Sequence, residues 1–308
     1  MPDPATETAD ANASRGADGK GTTRVAYLGP MGTYSHQVAV GEFGKGLVYV
    51  GQGTIPAVFD AVQQGAAEFG VVPFENSTEG AVNPCLDSFT KGGVRIVGEA
   101  YLQIHHYLLL THPSTPPTRI YSHPQALAQC STYLSTHHPG AQIIPVSSTA
   151  AAAKMAKDQG EGTAAVASIM CAEVYGLEMG GREVEDRRDN TTRFFVIAPI
   201  TTGTTSHPSS TPLSTTTSAS TNPSKTLILF TVPHALPGAL ARALNALASR
   251  GLNLSMITSR PSGVRKWHYW FFVDVEADEN DDRVKEALRE MEGECEVVRV
   301  LGSYKSVR

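Results

Sequence analysis

Short apolar runs and amphipathic segments alternate over residues 23–200. Runs such as RVAYL at residues 24–28 and FGVV at 69–72 are typical of buried strands, whereas residues 55–64 carry apolar side chains at helical spacing. The alternation occurs in two rounds, which are separated by the long extended stretch 94–110. This pattern predicts an α/β domain with parallel sheets, divided into two lobes with a cleft between them.

A change in composition separates this region from the rest of the chain. About two-thirds of residues 201–224 are Ser or Thr, and a segment of that composition cannot bury a core. We expect a flexible linker there, which limited proteolysis would cut first. Residues 1–22 are rich in Ala, Gly, Thr and Asp, and we expect them to form a disordered tail.

Residues 225–304 form a second predicted unit. Apolar strand-like runs alternate with helical segments, giving strands at 226–232, 252–259, 266–275 and 295–301 and helices at 237–249 and 283–291. The resulting order, βαββαβ, is that of the ferredoxin-like fold. No cluster of catalytic residue types is evident in this unit.

The overall composition narrows the classes of function. The formal net charge is −5 at pH 7, and no basic stripe indicates binding to nucleic acid. The four cysteines have no metal-ligand spacing, so we expect reduced thiols and no metal site. The best candidate for a membrane span, residues 94–110, contains an Arg, a Glu and two His residues, which argues against it. The amino terminus lacks an apolar signal core, so a cytoplasmic protein is expected.

The strongest candidate for chemistry is the sequence DNTTRFF at residues 189–195. Carboxamide, hydroxyl and guanidinium groups lead here into an apolar run that predicts a strand. Thr192 and Arg193 would then lie at the mouth of a sheet and point to opposite faces, unless the strand begins irregularly. From the local sequence alone, a polar turn before an edge strand is the more common explanation.

Polar residues also stand where three helices are expected to begin, near Thr33, Ser77 and Ser122. Helix N-termini attract anions, so an interlobe pocket surrounded by them would suit an anionic small molecule. The polar cluster around Ser77 fits helix capping as well as ligand contact. Taken singly, each of these segments is a weak signal.

Together, the motifs resemble those of the prephenate dehydratase family. The resemblance rests on GPMGTYSHQ at residues 29–37, VPFENSTEG at 72–80, SHPQALAQC at 122–130, STA at 148–150 and TTRF at 191–194. They occur in the family's order and cover nearly all of residues 23–200. Residues 225–304 resemble the ACT domain that follows in this family, because PGAL at 237–240 and SRP at 259–261 match its two effector motifs.

The resemblance implies conversion of prephenate to phenylpyruvate, with loss of water and carbon dioxide, in L-phenylalanine biosynthesis. It also implies a catalytic fold like that of periplasmic binding proteins, no cofactor, and feedback by L-phenylalanine at the ACT domain. The catalytic threonine of the family falls on Thr192. The residues expected to bind the substrate are Arg193, as a carboxylate clamp, and Asn76, Ser122, Gln129 and Phe194. Those expected to bind the effector are Gly238, Ala239, Leu240, Asn253, Ser259, Arg260 and Pro261.

A free threonine is a very poor acid, so Thr192 is expected to assist the departing hydroxyl by position and electrostatics rather than by full proton transfer. Lone histidines without a visible partner are usually structural or solvated. We expect this for His36, His105, His106 and His123.

Several alternatives stay open at the level of the sequence. Arogenate dehydratase performs the same chemistry on the aminated substrate, and a two-lobed binding protein fused to an amino-acid sensor would share the architecture. Thr258 stands where the second effector motif usually begins with Glu, which bears on the strength of effector binding. Pairing of ACT domains would make the protein a homo-oligomer, a dimer or a tetramer.

Overall fold

The computed structural model describes residues 22–200 and 223–307. The predicted tail and linker therefore lie outside the described residues, apart from Thr22, Pro223 and Ser224. In chain order, the elements of residues 22–200 are β1 (Arg24–Leu28), α1 (Tyr34–Phe43), β2 (Val48–Gln52), α2 (Ile55–Gln63), β3 (Phe69–Asn76), β4 (Gly80–Ala81), α3 (Asn83–Lys91), β5 (Val94–Gln103), β6 (Tyr107–Leu110), β7 (Arg119–Ser122), α4 (Pro124–Gln129), α5 (Ser131–His137), β8 (Gln142–Pro145), α6 (Thr149–Gln159), β9 (Thr163–Ala167), α7 (Met170–Tyr175), β10 (Glu178–Gly181) and β11 (Thr191–Pro199). Those of residues 223–307 are β12 (Ser224–Thr231), α8 (Ala239–Ala248), β13 (Leu254–Pro261), β14 (Tyr269–Val275), α9 (Asp282–Glu294) and β15 (Val297–Lys305).

Two sheets divide residues 22–200 into two lobes. The first sheet has the order β2-β1-β3-β11-β5, with β4 paired to β3, and the second has the order β10-β6-β9-β7-β8. β1 is parallel to β2 and β3, and β7 is parallel to β8 and β9. β11 and β6, however, are antiparallel to both of their neighbours. The expectation of parallel sheets is therefore wrong in part, because these two strands come directly from the other lobe rather than through a helical crossover.

The chain crosses between the lobes twice. It leaves the first lobe between β5 and β6, and it returns between β10 and β11. The strand at residues 191–199 was expected to close the second lobe, but it lies in the first sheet, between β3 and β5. The double crossing gives the two-lobed α/β plan predicted for this region.

The C-terminal unit has the order β12-α8-β13-β14-α9-β15, which confirms the predicted βαββαβ arrangement. Its four strands form an antiparallel sheet in the order β13-β14-β12-β15. The apolar sides of α8 and α9 cover one face of this sheet, where they pack on Ile228, Phe230 and Val273. β12 begins at Ser224, one residue before the predicted start of the C-terminal unit at residue 225.

The opposite face of the C-terminal sheet packs on the first lobe. Leu229 and Phe272 join Phe195 of β11 in one buried apolar cluster. β15 approaches β5 so closely that a Cβ atom at Gly302 would overlap the backbone carbonyl of Ile96, and only glycine fits there. The C-terminal domain thus reaches β11, the strand that carries the candidate catalytic residues.

Candidate active site

A cleft of about 380 Å³ opens between the two lobes. Thr33, Asn76 and Thr192 line it from the first lobe, and Gln129 and Ser148 line it from the second. Because both lobes supply polar side chains, a small molecule in the cleft would contact both of them at once.

The cleft brings together four of the six site residues expected in residues 23–200, namely Thr192, Asn76, Gln129 and Phe194. Ser122 is not among them. It is fully buried at the end of β7, and its Oγ donates to the carbonyl oxygen of Val166 at 2.6 Å. This hydroxyl holds β7 to β9 inside the second lobe, so the expectation that it contacts the substrate is not met in this geometry.

Three helices begin at the cleft. Thr33 caps α1 and Ser148 caps α6, each accepting a hydrogen bond from the backbone N–H three residues later. His123 caps α4, and its Nδ1 accepts from the backbone N–H of Gln125 at 3.3 Å. These caps orient the first turns of the helices toward the space between the lobes.

Of the other two expected helix starts, the one near Ser77 is wrong, and the one near Ser122 is right except for its cap residue. Ser77 lies in the turn between β3 and β4, and α3 begins only after Val82, its N-cap residue. Ser122 is the last residue of β7, and the cap of α4 is the following histidine. The reason is the same at both places, since the strand continues further than the polar composition suggested.

Thr192 lies beside Asn76 in the register of β11 and β3. It is 8% exposed and lines the cleft. Asn76 Nδ2 donates to Thr192 Oγ1 at 2.8 Å. Because the oxygen accepts this hydrogen bond, the hydroxyl proton of Thr192 is left to donate into the cleft.

The carboxamide of Asn76 is fully engaged. Its Oδ1 accepts from the backbone N–H groups of Thr78 and Glu79 at 2.9 and 3.1 Å. The two protons of Nδ2 go to Thr192 and to Oδ1 of Asn190, which is 2.7 Å away. The geometry therefore gives Asn76 the task of holding Thr192, in place of the expected contact with the substrate.

Arg193 points away from the cleft, as the alternation of strand side chains requires. Its guanidinium is 2.8 Å from Glu99, 2.7 Å from Asp274 and 3.0 Å from the Tyr304 hydroxyl. Burial disfavours its charged form, but Tyr304, Asp274 and Glu99 outweigh that effect and raise the pKa of Arg193 above its ordinary value. The expected carboxylate clamp is thus a buried link to the C-terminal domain.

Gln129 is held by two residues that the sequence did not assign to the site. Its Oε1 lies 2.8 Å from Nε2 of His106 and 3.4 Å from Nδ2 of Asn190. Asn190 belongs to the candidate stretch 189–195, so its position was the available signal. For His106 the sequence offered no signal, because no partner for it stands nearby in the chain. Its ring contacts Tyr34 and Gln129, which come from distant segments.

An apolar cavity of about 590 Å³ lies at the start of α8. Gly238, Ala239 and Leu240 line it, together with Phe271 of β14. Gly238 is the N-cap residue with a φ of 77°, a left-handed conformation that favours glycine. No side chain caps this helix start, so a ligand carboxylate can approach the backbone there.

The other expected effector residues are spread over the C-terminal domain. Ser259 is the register partner of Phe271, so it lies next to the apolar cavity. Asn253 follows the opposite end of α8, where its Nδ2 donates to Glu276 at 2.8 Å. α8 has 10 residues, and a helix of that length spans about 15 Å. Gly238 and Asn253 of one chain are therefore too far apart to hold the same amino acid.

Arg260 faces the first lobe instead of the cavity. Its Nε and Nη2 atoms donate to the two carboxylate oxygens of Asp87 on α3, at 2.6 and 2.9 Å. Thr258 lies on the same face of β13, because side chains two residues apart in a strand point the same way. The residue that replaces the usual Glu of the effector motif is therefore at the domain interface. Pro261 ends β13 and is exposed.

No group of three or more His, Cys, Asp or Glu side chains among the described residues is arranged to hold a metal ion. The four cysteines are free thiols. In residues 22–200 and 223–307, no helix has the length and apolar character needed to cross a bilayer.

Two family models match the chain. One, described as prephenate dehydratase, covers residues 25–201, and the other, described as ACT domain, covers residues 226–293. Among curated relatives, a bifunctional chorismate mutase/prephenate dehydratase of Stutzerimonas stutzeri is 42% identical over 283 residues, which are 91% of this chain and 73% of the relative.

Two solved structures are similar over both domains. A prephenate dehydratase from Arthrobacter aurescens in complex with L-Phe has a TM-score of 0.77 at 30% identity, covering 92% of this chain and 90% of that one. A structure described as GqqA, a novel type of quorum quenching acylase, has a TM-score of 0.79 at 30% identity, covering 92% of this chain and 98% of the other.

Proposed function

The chain belongs to the prephenate dehydratase family, and we propose that the cleft between its two lobes is the active site. The protein is an enzyme of L-phenylalanine biosynthesis that converts prephenate to phenylpyruvate. The observation that carries the placement of the site is the hydrogen bond from Asn76 to Thr192, which occupies the oxygen of a hydroxyl that lines the cleft and leaves its proton available to a ligand there.

The reaction needs little covalent chemistry from the protein. The bond between the ring and its carboxylate breaks and carbon dioxide leaves, while the electron pair of that bond enters the ring. The ring hydroxyl leaves with its own bonding pair and takes up a proton from solvent to become water. Because the ring becomes aromatic, the enzyme has mainly to orient the dianion and stabilise the leaving hydroxide.

Thr192 supplies the hydrogen bond to the leaving hydroxyl. Asn76 fixes its oxygen from behind, so the donor direction is set before the substrate binds. A threonine hydroxyl is too weak an acid to give up its proton, so it acts as a preorganised donor to the developing charge. Phe194, two residues further on the same strand face, adds an apolar surface to the cleft beside the ring.

In the proposed site, the two carboxylates of prephenate are bound without a Lys or Arg side chain. None of the described residues that line the cleft is Lys or Arg. The first turns of α1 and α6 line it instead, through Tyr34, Ser35 and Thr149. The first N–H groups of a helix have no partner within the helix, and the helix dipole favours negative charge there. The amide of Gln129 is a further donor from the second lobe.

L-phenylalanine regulates the enzyme through the ACT domain. We place its site at the apolar cavity around Gly238, where the aromatic side chain is buried and the helix start meets the carboxylate. Because Asn253 lies at the far end of α8, its contact with the same effector requires a second chain. This geometry favours a homo-oligomer, a dimer or a tetramer, with effector sites between paired ACT domains. We place the enzyme in the cytoplasm.

One assay tests this function. Purified protein is incubated with prephenate, and phenylpyruvate and carbon dioxide are measured, with arogenate supplied in a parallel reaction. We expect phenylpyruvate at a rate that L-phenylalanine reduces. Faster turnover of arogenate would reassign the substrate, and no turnover of either would overturn the proposal.

The geometry of this cleft does not favour the acylase activity named for one structural neighbour. Covalent acyl transfer commonly needs a nucleophile that is hydrogen-bonded to a base. Among the described residues that line the cleft, no Ser or Thr hydroxyl is hydrogen-bonded to the imidazole ring of a histidine. Thr192 is paired with a carboxamide, which cannot accept its proton.

A further inference from the structure

Backbone N–H groups determine which atoms donate and which accept in the chain of hydrogen bonds across the cleft. The N–H groups of Thr78 and Glu79 can only donate, and both reach Oδ1 of Asn76. The amide nitrogen of Asn76 therefore faces the cleft, where it donates to Thr192 and to Oδ1 of Asn190. The orientation of the first carboxamide thus fixes that of the second.

The same direction continues into the second lobe. Because Oδ1 of Asn190 accepts, its Nδ2 is the atom that faces Gln129 and lies 3.4 Å from Oε1. Oε1 of Gln129 is also 2.8 Å from Nε2 of His106. An amide oxygen can only accept, so the proton of this imidazole must be on Nε2.

The carboxamide chain fixes this tautomer, and the His106 ring has one further partner, Tyr34. The residue is 3% exposed, and burial holds the pKa of His106 below its ordinary value, so the neutral ring has a single proton. Nδ1 is then an acceptor. The Tyr34 hydroxyl lies 2.7 Å from Nδ1 and 2.9 Å from the carbonyl oxygen of His105, so its single proton is shared between these two acceptors. The backbone N–H of His106 donates to Glu185 at 2.9 Å, which anchors the crossing segment.

We propose that His106 is a positioning residue for the dehydration, which holds Gln129 Oε1 through Nε2–H and so presents the Gln129 NH₂ group to the substrate. It does not touch the reacting atoms. It fixes one end of the carboxamide chain whose other end fixes Thr192. The proposal rests on the proposed function of the cleft, since it assigns a role within that reaction.

The test compares two substitutions of this histidine. His106→Gln places an N–H donor at a similar reach and is expected to keep turnover within about threefold of wild type. His106→Leu fills the space without a donor and is expected to lower kcat about 10- to 100-fold, because a misplaced group can cost that much. His112→Leu is the control, since it changes an exposed imidazole outside this network.

A double substitution separates positioning from a general structural role. In a Gln129→Ala background, His106→Leu should lower kcat little further, because its effect passes through the Gln129 amide. Additive losses, or a His106→Gln variant as slow as His106→Leu, would overturn the proposal. If His106→Leu does not fold, His106→Phe replaces it in both comparisons, since it keeps a planar ring and removes the donor to Gln129. Wild-type protein without activity on prephenate would instead refute the function itself.

Discussion

Arg193 Nη2 and Asp274 Oδ2 lie 2.7 Å apart and join the catalytic domain to the C-terminal domain through a buried ion pair. Arg193 follows Thr192 on β11. Of these adjacent residues, Thr192 faces the cleft between the lobes and Arg193 faces the C-terminal domain. Glu99 and Lys225 complete the cluster, with 3.2 Å between Lys225 Nζ and Glu99 Oε1. The cluster contains two cations and two carboxylates, so its charge is balanced. It links the ACT domain to the residue that follows Thr192 on β11, which makes it a candidate route for regulation.

Asp274→Asn tests this route. Removal of one buried charge leaves its partners uncompensated, which typically costs between about 3 and 5 kcal/mol. We expect a loss of that order in the free energy of unfolding, measured by denaturant titration, and a weaker inhibition by phenylalanine. Glu292→Gln, a change of an exposed carboxylate on α9 of the same domain, is the control. An unchanged phenylalanine response would exclude this cluster from the regulatory route.

Replacing Thr192 should impair chemistry rather than folding. Loss of one preorganised donor to a developing oxyanion typically costs about 100- to 1000-fold in turnover. Thr192→Ala is therefore expected to lower kcat by that order, and Thr192→Ser to retain most of it, in a steady-state assay with prephenate. Thr191→Ala is the matched control, because the same residue type lies one position earlier and lines the other side of the strand. Near-normal turnover in Thr192→Ala would remove this hydroxyl from the mechanism.

The Arg260–Asp87 ion pair should contribute to stability only above acidic pH. The hydrogen bond from Arg260 holds the pKa of Asp87 below its ordinary value. Because the pKa of Asp87 is lower in the folded than in the unfolded protein, the ionised carboxylate stabilises the fold. This stabilisation is fully present above the unfolded pKa of about 3.9, and it is lost as the pH falls through the folded pKa. The Asp87 side chain is 48% exposed, so we expect no more than about 1 kcal/mol.

The measurement for this pair is the free energy of unfolding of wild type and Asp87→Asn across the acidic range. The difference between them should be present at neutral pH and vanish below the folded pKa. Asp60→Asn, which changes an exposed aspartate on α2, is the control. A difference that persists at low pH would mean that the substitution acts through packing instead of charge.

Gly238→Val should relieve inhibition and spare uninhibited turnover. The left-handed φ of 77° is unfavourable for a β-branched residue, and a Cβ there would lie 3.3 Å from Nη1 of Arg242. The added side chain would also narrow the apolar cavity at the start of α8. Calorimetry with L-phenylalanine measures binding directly, and equal affinity for the variant and wild type would move the effector site elsewhere.

The sequence alone determined the local elements and their order. The βαββαβ unit and the two rounds of strand and helix follow from hydrophobic periodicity, a property of neighbouring residues. The motif around Thr192 could also be found from sequence, since the strand, its polar start and the alternation of Thr192 and Arg193 are all local features. That alternation predicted opposite faces, and the structure has them.

Only the tertiary structure decided which groups meet. The return of β11 to the first sheet depends on pairing between residues about a hundred positions apart, such as Thr192 with Asn76, and no local pattern encodes it. The same is true of Arg193, whose partner Asp274 belongs to another domain, and of His106, whose proposed role rests on its hydrogen bond to Gln129. A side chain's chemistry is set by the groups around it, and in this protein those groups come from distant parts of the chain.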